Sequence, residues 1–166
     1  MEVEKELRAR QLIAENQFPL RIQFGNRHEI VKNNKKGSAV QNNHRWTAFI
    51  KFTDPKVNQF SLRLIEKVRF GLHPSFGVDH MDVKANAEGK FEISFNGFGT
   101  FTVPITIFFR REVGLPYPRQ IKLDHYLSFE GKGAWKTVQI DIEKQRAKDL
   151  GLIPAAKNSS KSIGRR

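Results

Sequence analysis

Hydrophobic and polar residues alternate along most of the middle of the chain. Leu20, Ile22 and Phe24 alternate with polar neighbours near the start of this region. The alternation returns over residues 46–52, 62–64, 68–72, 91–95, 101–109, 121–123 and 138–142. A two-residue period is typical of strands that bury one face, and no stretch of residues 18–142 has a convincing helical period. We therefore predict an all-β fold of about eight short strands, arranged as an antiparallel sandwich.

Single residues refine the prediction at the ends of these strands. Asp54-Pro55 ends one strand, and His73-Pro74 closes another. Pro104 lies inside the longest strand, which predicts an edge position or a bulge because proline cannot donate to a ladder.

The two ends of the chain differ from its middle. Residues 1–17 are rich in helix formers with a weak apolar stripe, which predicts a short helix or a frayed leader. Residues 18–142 form the predicted domain. Residues 143–166 begin with one or two predicted helical turns and end in a basic tail, which we expect to be disordered. That tail supplies the candidate nucleic-acid contacts Lys157, Lys161, Arg165 and Arg166.

Composition narrows the class of protein. The chain has 166 residues with 39% hydrophobic content, enough for one core, and it has no cysteine for disulfides or thiolate metal sites. No apolar run approaches the ~18 residues of a membrane span, and the charged N-terminus lacks a secretory apolar region. A net charge of +12 favours binding to nucleic acid, an anionic membrane or an acidic partner, although it also fits a merely basic surface with a tail. We expect an intracellular protein with a chromatin address rather than a membrane address.

Sequence motifs for catalysis or cofactor binding are lacking. There is no phosphate-cradling glycine loop, zinc-protease helix or nucleophile elbow. His73, His80, Asp79 and Asp82 could be imagined as a metal cluster, but their spacing matches no common site. We therefore expect neither an enzyme nor a protein that needs a metal or cofactor.

Three segments carry a resemblance to a known family. The strand Val68–Leu72 runs into His73-Pro74-Ser75-Phe76, Gly97-Phe98-Gly99-Thr100-Phe101 precedes the strand with Pro104, and His44-Arg45-Trp46-Thr47 starts an early strand. In order and spacing they resemble the YEATS domain family over about residues 18–142. The resemblance implies an immunoglobulin-like β-sandwich with a pocket in the loops at one end. It also implies a nuclear protein that acts within chromatin complexes.

The family pocket reads acylated lysine, and the resemblance carries its roles to residues of this chain. Phe76 and Phe98 match the two rings that sandwich the acyl group, and the Phe98 amide would donate to the acyl carbonyl. Ser75 matches the hydroxyl that bonds the acyl amide, and His73 matches the wall residue that orients it. The remaining candidate pocket residues are Gly97, Gly99, Phe101, His44 and Asn42. Each has a plainer alternative: a phenylalanine could belong to the core, the serine could cap a loop, and the histidine could be structural.

Several positions depart from the family pattern and leave specificity open. Asn42 stands where a ring is common, Phe98 replaces Trp or Tyr, Phe95 replaces a Glu, and Tyr126 replaces an Asp that in one branch contacts a histone arginine. The expected function is a nuclear reader of acetyl- or crotonyl-lysine on histone H3 tails, as a subunit of a transcription-regulating or histone-modifying complex. The alternatives are a scaffold subunit without acyl-lysine binding, or a basic module that binds DNA or nucleosomes.

Overall fold

The computed structural model describes residues 2–31, 44–97 and 99–154. Within these ranges, eight strands and four α-helices follow one another. The strands are β1 (Gln17–Ile30), β2 (His44–Phe52), β3 (Ile65–Gly71), β4 (His80–Val83), β5 (Phe91–Gly97), β6 (Thr102–Phe109), β7 (Gln120–Tyr126) and β8 (Gly133–Glu143). The helices are α1 (Glu2–Glu15), α2 (Pro55–Gln59), α3 (Ser61–Leu64) and α4 (Lys144–Asp149).

The strands form two antiparallel sheets of four. The first sheet has the order β5-β2-β1-β8, and the second has the order β4-β3-β6-β7. Strand β1 is the longest strand of the first sheet. It pairs with β2 from Ile22 to Ile30 and with β8 from Gln17 to Arg27. The prediction of an all-β antiparallel sandwich of about eight strands is confirmed.

The core lies between the two sheets and follows the predicted alternation. Every second residue of β1 and β2 points inward, so that Leu20, Ile22, Trp46 and Ile50 are buried. The second sheet contributes Val68, Phe70, Val103, Ile105 and Ile107, all without exposed surface. Burying aliphatic and aromatic side chains at about 25 cal/mol per Å² supplies the main stabilisation of such a sandwich.

Helix α3 stands where a strand was predicted, and helix α2 directly precedes it. Leu62 and Leu64 lie in α3, and Leu62 is exposed while Leu64 is buried. Asp54 caps α2 by accepting a hydrogen bond from the Lys56 amide, and Pro55 takes the first helical position. The prediction of a strand over residues 62–64 is therefore wrong, because two leucines two positions apart do not distinguish a strand from a four-residue helix.

Strand β4 was not predicted, and Pro104 does not lie on an edge strand. Strand β4 is a largely exposed edge strand, so its sequence has no buried alternation. Pro104 lies in β6, which runs between β3 and β7. The register of β6 with β3 ends at Ile105, however, and Pro104 is paired only with Asp124 of β7. Its missing N–H therefore costs no ladder bond to β3.

Helix α1 precedes the sandwich, and the side chains of residues 2–12 and of Glu15 are exposed to solvent. Within the described ranges, no helix combines the length and the apolar character needed to cross a membrane.

Candidate binding site between the loops

Three connections meet at one end of the sandwich, beside the ends of β1 and β2: those between β3 and β4, β5 and β6, and β7 and β8. A cleft of about 440 Å³ opens there between the first two of these connections. This volume is within the range of small-ligand pockets. The described residues that line it are Trp46, His73, Ser75, Phe76, Asn96, Gly97, Gly99, Thr100 and Phe101.

One wall of the cleft is the loop that follows β3. His73 has extended backbone and caps a short 3₁₀ turn, Pro74–Phe76, by accepting a hydrogen bond from the Ser75 amide at 3.1 Å. Gly77 ends the turn with φ of 81°, a left-handed conformation that costs a side-chain-bearing residue about 1–2 kcal/mol. The cap and the glycine together fix the direction in which Ser75 and Phe76 leave the loop.

The same histidine orients the Ser75 hydroxyl. His73 Nδ1 lies 2.9 Å from Ser75 Oγ. Because a backbone N–H can only donate, its bond to Nδ1 requires that nitrogen to be unprotonated. The Ser75 hydroxyl must then donate to Nδ1 as well. Its oxygen lone pairs are left to accept a hydrogen bond from a group in the cleft.

The floor and the far wall of the cleft are aromatic. The Trp46 ring is almost fully buried and lies edge-on to Phe76, with centroids 6.2 Å apart, and to Phe101, at 5.9 Å. The rings of Phe76 and Phe101 are 5.8 Å apart and inclined at 52°. Phe95 packs behind Phe76 at 4.8 Å. These spacings are those of interlocked aromatic clusters, which hold each ring in one orientation.

Two glycines leave the opposite side of the cleft open. A Cβ on Gly97 would lie 3.5 Å from Trp46 Nε1, which is ordinary contact, and a Cβ on Gly99 would meet no described atom within 4 Å. Beyond them, Thr100 Oγ1 and the Tyr126 hydroxyl are joined at 2.8 Å. A ligand backbone can therefore approach this side closely.

A buried polar network supports the loops from below. Asn26 Oδ1 accepts from His125 Nε2 at 2.6 Å and from the Ser128 amide at 3.0 Å, while Asn26 Nδ2 donates to the Ser128 carbonyl at 2.8 Å. Burial, assisted by the charge of Lys136, lowers the pKa of His125 below its ordinary value of 6.5. A neutral imidazole with its proton on Nε2 satisfies this network, which ties β1 to β7 near the cleft.

His44 lies beside the cleft rather than in its wall. Its ring stacks on His28 and on Phe129, at 5.0 and 4.6 Å, and its Nδ1 is 2.7 Å from His28 Nε2. His28 Nδ1 in turn bonds the Gly131 carbonyl at 2.8 Å. His44 is nevertheless directly paired with Gly97 across the ladder, so this stack fixes the backbone next to the cleft.

The structure brings six of the predicted site residues together in the cleft: His73, Ser75, Phe76, Gly97, Gly99 and Phe101. Phe98, Asn42 and the tail residues Lys157, Lys161, Arg165 and Arg166 lie outside the described residues. Sequence reasoning missed Trp46, Asn96 and Thr100 as lining residues. Trp46 belongs to the motif that starts an early strand, and Thr100 lies between the predicted site residues Gly99 and Phe101.

His73, Asp79, His80 and Asp82, the residues considered as a metal cluster, do not form one. In the described part of the chain, no group of three potential ligands could hold a metal ion. Asp82 instead faces Arg69 at 2.8 Å and Lys67 at 3.0 Å across β3 and β4. The hydrogen bond from Arg69, aided by Lys67 and opposed by burial, holds the pKa of Asp82 far below its ordinary value of 3.8. This carboxylate serves as a cross-strand tie.

Comparisons with known proteins agree with this architecture. A sequence model of the YEATS family matches residues 41–131, more than half of the chain. A crystal structure of the yeast AF-9 homolog protein Yaf9 superposes with a TM-score of 0.66 at 19% identity, covering 90% of this chain and 97% of that one. The search of curated proteins finds no match.

Two further structures show the Yaf9 YEATS domain with modified peptides. One recognises an H3K122suc peptide, with a TM-score of 0.60 and 19% identity over 82% of this chain and 95% of that one. The other is bound to H3K27ac, with a TM-score of 0.60 and 18% identity over 82% and 94%. At these identities the likeness shows a shared fold.

Proposed function

The chain belongs to the YEATS family, and we propose that it binds an acylated lysine side chain in the cleft between its loops. One observation carries the proposal: the Ser75 hydroxyl is held as an acceptor beside a cluster of aromatic rings. An acyl-lysine offers a neutral, planar amide with one N–H donor. A neutral amide suits an apolar cleft that provides one hydrogen-bond partner, whereas the charged amine of unmodified lysine would lose its hydration there.

The ligand's amide and acyl group would meet different parts of the cleft. The amide N–H donates to Ser75 Oγ, and the acyl chain lies against Phe76, with Phe101 and Trp46 beneath it. The family resemblance adds Phe98 as the facing ring and its amide as the donor to the acyl carbonyl. Stacking of a planar group on aromatic rings contributes on the order of 1–3 kcal/mol, by analogy with nucleic-acid bases.

The proposed partner is the acylated tail of histone H3. The Yaf9 domain, which shares this fold, is seen with H3K27ac and with an H3K122suc peptide. We propose on this basis a nuclear chromatin reader of acetyl- or crotonyl-lysine, acting as a subunit of a transcription-regulating or histone-modifying complex.

We expect no catalysis from the Ser75–His73 pair. A hydrolytic serine needs a base whose ring is oriented by a third group. His73 Nδ1 instead accepts from two donors of one neighbouring residue. Among the described residues, the His73 ring forms its hydrogen bonds through Nδ1. The arrangement positions a hydroxyl and does not activate it.

The test is a titration of the full chain with H3 peptides that carry acetyl-, crotonyl- or unmodified lysine. Acyl peptides should bind, and the unmodified peptide should bind at least about tenfold more weakly. Phe76→Ala and Phe98→Ala should each weaken binding, whereas Phe108→Ala, on the outer face of the second sheet, should not. Parent-like binding by Phe98→Ala would overturn the assignment of the second ring.

A scaffold role without acyl-lysine binding is the second candidate. It is favoured by Phe95, which occupies a family Glu position and packs against both Phe76 and Trp46. Phe76 could then belong to the core alone. In that case Phe76→Ala would lower the free energy of unfolding, no acyl peptide would bind at millimolar concentration, and the chain would still co-purify with a stable complex.

A further inference from the structure

A second depression lies on the outer face of the first sheet, next to the cleft. Its volume is about 590 Å³. The residues that matter for its chemistry are Arg27, Arg45, Lys132, Thr47, Ser94 and Trp135. We call this depression the outer groove.

The outer groove and the cleft adjoin across one residue pair. Arg45 of β2 is directly opposite Asn96 of β5. Opposed residues of antiparallel strands project from the same face of the sheet, with Cβ atoms about 5 Å apart. Asn96 lines the cleft, and Arg45 lines the outer groove. A peptide that leaves the cleft past Asn96 therefore enters the outer groove.

Charges in the outer groove are mainly positive. Arg27 is engaged by Glu92 at 2.9 Å. Arg45 meets Glu29 only at 4.0 Å, with 53% of the Arg45 side chain exposed, so this guanidinium is available to another anion. Lys132 adds a third cation, and Glu29 is the one acid among the described lining residues.

The floor and the far end of the outer groove suit a peptide. Thr47 and Ser94 form the floor, with their hydroxyls 2.7 Å apart. Trp135 closes the far end with 47% of its surface exposed and leans on Phe49 at 6.4 Å. An exposed tryptophan beside hydroxyls and exposed cations is typical of surfaces that bind protein segments.

We propose that the outer groove binds the peptide segment next to the acyl-lysine and selects an anionic side chain in it. This inference rests on the proposed function of the cleft. Ser94 lies two residues from Asn96 along β5, a distance of about 7 Å, which an extended peptide spans in two residues. The anion is therefore expected within three positions of the acyl-lysine. An acidic residue supplies it directly, and a basic tail supplies it once a serine or threonine is phosphorylated.

The experiment uses acetyl-lysine peptides that differ only at the positions two and three residues away, with serine, glutamate or phosphoserine there. Glutamate should strengthen binding about two- to fivefold at low salt, as expected for one exposed ion pair. Phosphoserine should give a larger gain because it carries nearly two charges. Arg45→Gln should remove both gains. Arg21→Gln is the matched control, since Arg21 is exposed on the same face of β1, six residues from Arg27.

The outcomes separate the two proposals. If the acetylated peptides bind but the anion brings no gain, or an equal gain in both variants, the outer groove has no such role. A different result would show that the outer groove binds nucleic acid and would overturn the proposal. In that case duplex DNA competes with the peptides, Arg45→Gln but not Arg21→Gln abolishes the competition, and the charge of the peptide has no effect on its binding. If no acetylated peptide binds at all, the proposed function of the cleft has itself failed.

Discussion

Replacing Ser75 by alanine tests the cleft with little risk to the fold. Ser75 is exposed, and its hydroxyl bonds only His73 among the described residues. The substitution removes the acceptor for the ligand's amide N–H and leaves that donor unpaired against aromatic rings. An unsatisfied polar group of this kind costs about 1–3 kcal/mol, which corresponds to a loss of affinity of about five- to 150-fold.

The contribution of His73 should depend on Ser75. Since His73 orients the hydroxyl, His73→Ala should weaken binding in the parent but add little in the Ser75→Ala background. Interaction energies between residues in contact are about 0.5–3 kcal/mol, large enough to measure in a double-mutant cycle. His73→Asn should restore part of the affinity, because an asparagine oxygen can cap the turn and accept from the hydroxyl.

Isothermal titration calorimetry with one acetylated H3 peptide measures the four corners of this cycle. Thr106→Ala is the matched control, since Thr106 lies on the outer face of β6 in the second sheet and lines neither the cleft nor the outer groove. Parent-like affinity in Ser75→Ala would refute the amide contact. Additive losses from the two substitutions would refute the orientation of Ser75 by His73.

Three further predictions concern the fold that supports the cleft. Gly25→Ala should lower the free energy of unfolding, measured in urea, by about 1–3 kcal/mol, because the added Cβ would lie 2.2 Å from the Ala134 carbonyl oxygen. Gly99→Ala is the control: its Cβ would meet no described atom within 4 Å, so the free energy of unfolding should change by less than about 0.5 kcal/mol. Trp46→Ala should cost about 3–5 kcal/mol of unfolding free energy, and a smaller loss would mean that the ring does not anchor the cleft floor. Folding lowers the pKa of His125, so the unfolded chain protonates this histidine at a higher pH than the folded chain does. The free energy of unfolding should therefore be highest above pH 6.5 and fall as the pH drops below that value. His125→Gln should make this fall less steep, whereas an unchanged pH dependence would mean that other groups cause it.

The sandwich could be predicted from the sequence because its buried faces alternate. Strand β4 could not, since an exposed edge strand such as His80–Val83 has no buried face to create a pattern. Helices α2 and α3 have five and four residues, too few for a helical period to appear. Asp54 and Pro55 are residue types that occur both at strand ends and at helix starts. The hydrogen bond from the Lys56 amide to the Asp54 side chain shows that here they start a helix.

The candidate site was partly predictable for a different reason. The motif placed His73, Ser75 and Phe76 in one loop, where the cap geometry is local and follows from neighbouring residues. The position of His44 depends on Phe129, which lies 85 residues along the chain, so no local pattern predicts that stack. Trp46 was assigned to the core by alternation, and the structure gives it both roles, as a buried ring and as the cleft floor.

The most direct test of the central claim is an amide-resolved NMR titration of the full chain with an acetylated and an unmodified H3 peptide of the same sequence. The proposed function predicts that the acetylated peptide shifts the amide signals of Ser75, Gly97 and Gly99 in a saturable way. The unmodified peptide should leave these signals in place at the same concentration. Equal shifts with both peptides, or shifts confined to residues outside the cleft, would contradict acyl-lysine recognition by this chain.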